Sequence, residues 1–350
     1  MHLPRRNLLM ARLLLLPALA ALLLAGCGSK TATPSSNKPT ISIADNTFET
    51  GWINNAIAAY ILQTGYGYTT TEIVLTTPGM QTALARGDVD VAVEFWPGNM
   101  QDWWDAEIAK GSIVDLGDVY EGGDQFFMIP KTVADQHNLK SIEDMKRPEV
   151  VKLFPNPENP KKGAFINCII GWQCAEINRA KFKAYGLDQF YDIISPGSSA
   201  AMDAAIVGPI QKQQPVFAYY FSPTSIKGGY DWQVLQEPTF SEKCWAEVIK
   251  GRDDKNYTPK EACAYATQRT LKVSTKAFPQ KAPEAAEFFK KMYVGIEPLN
   301  KTAAWAKEHD IQGQWQKAAV YYLNSYEDRW KTWVPADVHQ KVKQALAQAK

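Results

Sequence analysis

The sequence predicts an α/β protein of two lobes around a cleft, each lobe a mainly parallel sheet flanked by helices, with a helical C-terminal tail. Three observations lead there. Strand and helix patterns alternate over residues 40–95, the arithmetic of βαβ units with helices on both sheet faces. A second alternating run spans residues 125–221, and only helical patterns follow Pro283.

Taken in order, residues 40–44 alternate as a short strand and run through Asp45 into a helical pattern over 52–62 that stops at Gly65. Residues 72–76 read as a second strand and 78–86 as a short helix closed by Gly87. Residues 89–95 are an apolar run of the kind a buried parallel strand needs. Ligands in such sheets sit beyond the carboxyl ends of the strands, which puts residues 45–52 and the Trp96-Pro97-Gly98-Asn99 turn at one rim. A strand at 125–130, helices near 141–154, a strand at 192–194 and a helix over 198–211 follow. The strand 215–221 ends in the cluster Tyr219-Tyr220-Phe221, and strands at 232–235 and 270–273 lead back. Helices are expected at 283–292, 298–308, 313–324 and 336–348. The expected division is 39–125 with 240–350 for the first lobe and 126–239 for the second.

The first 26 residues read as a lipoprotein signal peptide. Arg5, Arg6 and Arg12 make a basic start, Leu13 to Leu24 supply the apolar run, and Leu24-Ala25-Gly26-Cys27 is a lipobox ahead of a lipidated cysteine. The Ser/Thr/Pro-rich stretch to residue 38 reads as a flexible tether. No later stretch is apolar for long enough to span a bilayer. The expectation is an exported monomer, anchored by acyl chains on Cys27 at the outer face of the cell membrane or in the periplasm. Losing three signal arginines leaves 35 basic against 37 acidic residues, with no basic stripe, which excludes a nucleic-acid binder.

Cys168, Cys174, Cys244 and Cys263 then remain, an even number suited to an oxidising compartment. Short separation favours Cys168–Cys174 and Cys244–Cys263 among the three pairings. Zinc is the competing reading, but the six- and nineteen-residue separations fit no common ligand spacing and no histidine is near. No metal and no cofactor is expected. A bridge between Cys168 and Cys174 would pin the loop that carries Trp172 and leave the N–H groups of Gln173 and Cys174 at a helix start, a site for an anion. A fixed indole beside an anion site suits a small zwitterion with a bulky cation. A structural disulfide with a packed tryptophan is the blander alternative.

Three stretches bear on that choice: Val91-Ala-Val-Glu-Phe-Trp-Pro97, Cys168-Ile-Ile-Gly-Trp-Gln-Cys174, and Gln214-Pro-Val-Phe-Ala-Tyr-Tyr-Phe-Ser-Pro223, the last followed by Trp232-Gln-Val-Leu-Gln-Glu-Pro238. In this order, behind a lipobox, they resemble the glycine betaine/proline betaine-binding subunits of bacterial osmoprotectant ABC importers over nearly the whole mature chain. The resemblance implies a type II periplasmic-binding-protein fold that closes on its ligand, and a permease with ATPase subunits as partners. It also implies a cage of three tryptophans around a trimethylammonium group. Two of them match Trp96 and Trp172, while Phe221 stands in the third place, with Tyr220 as a compensating cage ring and Tyr219 as the further candidate. The ligand carboxylate would meet the N–H groups of Gln173 and Cys174, and Asn99 takes the place of a family histidine if one gap is allowed, Met100 if none.

A quaternary ammonium has no hydrogen to donate, so ring faces rather than directional acceptors hold it, each worth about 0.5–1 kcal/mol exposed and about 2 or more desolvated. Ser198 and Ser199, before the next helix, are further candidate donors to the carboxylate, and Trp52 a further ring near the rim. Glu94 should point opposite Phe95; its expected role is structural, although an acid there would matter for choline. Choline or carnitine is the alternative ligand. A sugar-binding or glycosidase-like lipoprotein is a remoter one, because the strand ends carry aromatics where that chemistry needs paired carboxylates.

Overall fold

The structure, a computed structural model, describes residues 38–311 and 313–349. The expected signal peptide, Cys27 and the tether up to residue 37 lie outside the described residues.

Among the described residues nine strands form the sheet framework: β1 (Thr40–Asp45), β2 (Thr69–Val74), β3 (Val91–Phe95), β4 (Ile113–Pro130), β5 (Gly163–Ile166), β6 (Tyr191–Ile194), β7 (Ala218–Ser222), β8 (Trp232–Val234) and β9 (Gln268–Thr275). Their order is β2-β1-β3-β9-β4-β7-β5-β6, with β8 also on β4. β1, β2 and β3 run parallel, and β9 joins β3 and β4 antiparallel. In the second lobe β5, β6 and β7 run parallel, and β4 flanks β7 and β8 antiparallel. Each lobe is thus three parallel strands plus strands that carry the chain across.

β4 makes the crossing. Residues Ile113 to Gly123 pair with β9 in the first sheet, and Asp124 to Pro130 pair with β7 and β8 in the second. The first sheet is filled by Ile41 and Ile43 of β1 against Ile53, Ile57 and Ile61 of the Glu49–Thr64 helix, spaced one turn apart and all fully buried. In the second, Phe127, Phe165, Phe182 and Phe217 pack ring against ring, mostly edge-to-face or tilted, with centroids 4.3–6.3 Å apart.

Both cysteine pairs are bonded, Cys168 to Cys174 and Cys244 to Cys263, with Cα atoms 5.8 and 6.3 Å apart. The second bridge staples the Glu242–Asp253 helix, which lies on the Gln173–Tyr185 helix; there Arg179 donates to the carbonyl of Gly251 at 2.8 Å. The strand that re-enters the first sheet is β9, well after residue 240. Among the described residues no helix is long and apolar enough to cross a membrane.

Candidate ligand-binding site

The carboxyl ends of β1, β3 and β5 converge with the β7 strand on one cavity of about 60 Å³. A water needs about 10–15 Å³ on such a measure, so the space suits a small solute. β1 delivers Phe48 through a turn in which Thr47 has φ +61° and donates its N–H to Asp45 at 2.6 Å. β3 delivers Trp96 and, one helical turn on, Asn99; the N–H of Gly98 in that turn donates to Gln268 of β9 at 2.7 Å. β5 leads into the Cys168–Cys174 loop, where Gly171 takes φ +94° so that Trp172 can precede the Gln173–Tyr185 helix. A Cβ at Gly171 would stand 2.9 Å from Thr76 Cγ2, so the loop and the opposite rim touch here.

Four of the rings at the cavity meet one another, and Tyr219 adds a fifth to the lining. Phe221 lies edge-to-face with Trp96 (5.9 Å, 87°), Trp172 (6.0 Å, 76°) and Phe48 (6.0 Å, 90°), and Phe48 meets Trp172 at 5.6 Å. Trp96 and Phe48 come from the first lobe, Trp172 and Phe221 from the second. The two rims are also bonded directly: Trp172 Nε1 donates to the Asn46 carbonyl at 2.8 Å, Thr77 N to the Gly171 carbonyl at 2.9 Å, and Ser225 N to Glu49 at 2.7 Å.

A polar end completes the cavity. Asn99 and Gln125 exchange amide hydrogen bonds at 3.2 and 2.8 Å, and Tyr219 donates to Gln125 at 2.8 Å. Gln173 and Cys174 line the same space, and as the first residues of their helix their N–H groups have no intrahelical acceptor. Arg252 backs this end by donating to the Asn99 carbonyl at 3.0 Å, without lining the cavity itself.

Glu94 is buried beside the cage and lines it. Strand alternation sets Glu94 and Trp96 on one side and Phe95 on the other, against Trp103 and Trp104. Its carboxylate accepts from Thr50 (3.0 Å), Asn54 (2.7 Å), Trp96 Nε1 (3.2 Å) and the Tyr120 hydroxyl. Burial pushes its pKa up to about 7 against the pull of these four donors. Among the described residues, no lysine, arginine or histidine lines the cavity.

Of the residues singled out in sequence, Trp96, Trp172, Phe221, Tyr219, Gln173, Cys174, Asn99 and Glu94 come together here. Tyr220 does not: one residue along β7 turns it to the opposite face, where its hydroxyl donates to Asp203 at 2.8 Å. Trp52 stacks on Trp315 (5.0 Å, 24°), away from the cavity. Ser198 caps the Ser199–Gln211 helix through the N–H of Ala201, and Ser199 donates to the Thr47 carbonyl. Neither serine lines the cavity. Phe48 and Gln125 were not foreseen; their positions after a parallel strand and at the lobe crossing were the available signals.

Known proteins resemble this chain in sequence and in fold. Residues 39–325 match the family described as the substrate-binding domain of ABC-type glycine betaine transport systems. The glycine betaine/proline betaine-binding periplasmic protein of Salmonella typhimurium is 26% identical over 304 residues, covering 84% of this chain and 87% of the relative. An ABC-transporter choline-binding protein in complex with choline superimposes with a TM-score of 0.68 at 15% identity, covering 88% and 98%. The lactococcal OpuAC, closed on glycine betaine, does so at 0.64 and 14%, covering 85% and 100%. At such identities the solved structures speak for the two-lobed fold alone.

Proposed function

The chain belongs to the family of substrate-binding domains of ABC-type glycine betaine transport systems, and from that premise we propose that its cavity captures glycine betaine or a related quaternary amine between the lobes and delivers it to the permease. The supporting observation is the meeting of Phe48, Trp96, Trp172 and Phe221, two rings from each lobe, around a cavity that no cationic side chain lines among the described residues.

Four such rings supply the quadrupolar attraction and the apolar cover that a trimethylammonium group needs, about 2 kcal/mol or more per desolvated face. Phe221 replaces a stronger tryptophan, and Phe48 adds a wall that compensates. The N–H groups of Gln173 and Cys174 and the amide of Asn99 receive the carboxylate, and Tyr219 with Gln125 orients that amide. Rings and donors come from both lobes, so a ligand bound to one gains contacts with the other and shifts the population toward closure.

The lobe division that goes with this reading assigns residues 39–125 to the first lobe together with the chain from β9 onward. The position of the Glu242–Asp253 helix on the second lobe supports moving the return crossing from residue 240 to β9. The lipid anchor on Cys27 and a monomeric state complete the proposal. Choline or a carnitine-type amine is the second reading, favoured by one observation: the buried carboxylate of Glu94 in the lining. A glycosidase would need two carboxyl groups at the site, and Glu94 is the one carboxylate that lines it among the described residues.

Intrinsic tryptophan fluorescence, titrated with glycine betaine, proline betaine, carnitine, choline and a set of sugars, tests this. A saturable change with at least one quaternary amine and none with sugars is expected. A response to sugars alone would overturn the reading.

A further inference from the structure

A buried acid that shares a wall with a cation site does more than brace a tryptophan. Glu94 is 4% exposed, its Oε1 accepts the indole hydrogen of Trp96, and it lines the cavity itself, so its charge sits at the edge of that cage ring. We propose that Glu94 sets the charge selectivity of the cage: its carboxylate is the counter-ion of the bound quaternary ammonium and favours net-cationic amines, such as a quaternary ammonium alcohol, over zwitterions. This rests on the reading of the cavity as a quaternary-amine site.

The surroundings isolate that charge. From the Glu49–Thr64 helix it faces Thr50 and Asn54, both uncharged. From β4 it faces Tyr120, whose phenol is pushed well above its ordinary value by burial and by Glu94 itself and stays protonated. Across the cavity Tyr219 is likewise raised by burial. Asn99, Gln125 and Tyr219 at the far end are neutral donors and acceptors that suit a hydroxyl as well as a carboxylate. No cationic side chain of the described lining offsets Glu94, so a ligand's second charge would meet it with no opposing side-chain charge.

Binding and protonation are then linked. In the empty cavity the acid is half protonated near pH 7. An arriving cation favours the carboxylate, and the acid's proton leaves to solvent. Choline affinity should therefore rise with pH and level off above neutrality, being about 30-fold weaker at pH 5.5 than at pH 8. A neutral isostere, 3,3-dimethylbutan-1-ol, should show no such slope.

Calorimetric titration of the purified protein with choline, glycine betaine and the isostere, at pH 5.5 and pH 8 and in buffers of differing ionisation heat, reads both effects. The wild type should release roughly half a proton per choline at pH 7. In Glu94→Gln the pH slope should vanish, and the choline-to-betaine affinity ratio at pH 8 should fall at least tenfold. Asn54 Oδ1 is buried without a partner, so a flipped Asn54 amide can accept from the new amide and spare the fold. A wild type that binds glycine betaine at least as tightly as choline at pH 8 overturns the proposal even if the variant fails to fold. So does an unchanged ratio in a folded variant. Failure of every quaternary amine to bind the wild type would instead remove the cage reading on which the proposal stands.

Discussion

Replacing Trp172 by alanine is the perturbation that should separate a ligand cage from a packed loop. The indole is half-buried, meets Phe48 and Phe221 edge-on at 5.6 and 6.0 Å, and donates to the Asn46 carbonyl of the other lobe at 2.8 Å. A desolvated ring face lost from a cation costs about 2 kcal/mol. A cross-lobe hydrogen bond adds about 1 kcal/mol, for a combined loss of about 3 kcal/mol, or roughly a hundredfold in affinity. Because Trp172 precedes its helix and the loop is pinned by the Cys168–Cys174 bridge, the fold should lose much less than binding does. Trp172→Phe keeps a smaller, weaker ring and removes the N–H donor, so its loss should exceed about fivefold and fall short of the alanine variant's. Calorimetry with the tightest quaternary amine, beside thermal unfolding of both variants, measures each term. An alanine variant that binds within threefold of the wild type, with its melting temperature lowered instead, would show that this indole is structural and that the cage argument is mistaken.

Other perturbations have equally definite outcomes. Gly171→Ala forces a side chain to φ +94° and a Cβ to 2.9 Å from Thr76; a stability loss of about 1–2 kcal/mol is expected in denaturant titration, together with weakened binding as the rims are wedged apart. Trp52→Ala breaks the stack on Trp315, so it should cost roughly 1–2 kcal/mol of stability and leave ligand affinity unchanged; a tenfold affinity loss would return Trp52 to the site. Glu94 also predicts the pH dependence of the empty protein. Its pKa of about 7 when folded exceeds the ordinary 4.5, so the folded state holds the proton more tightly. That contribution is complete below pH 4.5 and is lost as pH rises through 7, a change of roughly 3 kcal/mol. Urea unfolding should show this slope in the wild type and not in Glu94→Gln; parallel curves would contradict the assignment.

Much of this site could be read in the sequence because the carboxyl ends of parallel strands are where α/β sheets place ligands. Trp96 and the Cys168–Cys174 loop announce themselves in that way. Between Tyr219 and Tyr220, strand alternation says only that one faces the cavity; the pairing of β7 with β4 decides for Tyr219. Phe48 sits in a turn, where no periodicity marks a residue's direction. Gln125 belongs to the crossing strand, whose first half escaped notice because Gly117, Gly122 and Gly123 imitate a loop. In the structure those glycines take up register shifts against β9, which let one strand of 18 residues serve two sheets. The helix over Glu242–Asp253 carries no sequence expectation, since the charges of its last turn, Lys250 and Arg252, interrupt any apolar stripe. Glu94 gave a signal that strand rules could not rank. An acid inside an apolar run is either paired or functional, and only its four donors and its place behind Trp96 show how the charge is held.

A crystal structure of the protein grown with choline or glycine betaine tests the central claim most directly. The account predicts the quaternary nitrogen within about 6 Å of the ring centroids of Trp96, Trp172 and Phe221, with the other end of the ligand against Asn99 and the N–H groups of Gln173 and Cys174. A ligand seated elsewhere, for instance beside the Trp52–Trp315 stack, with this cavity filled only by water, would contradict it.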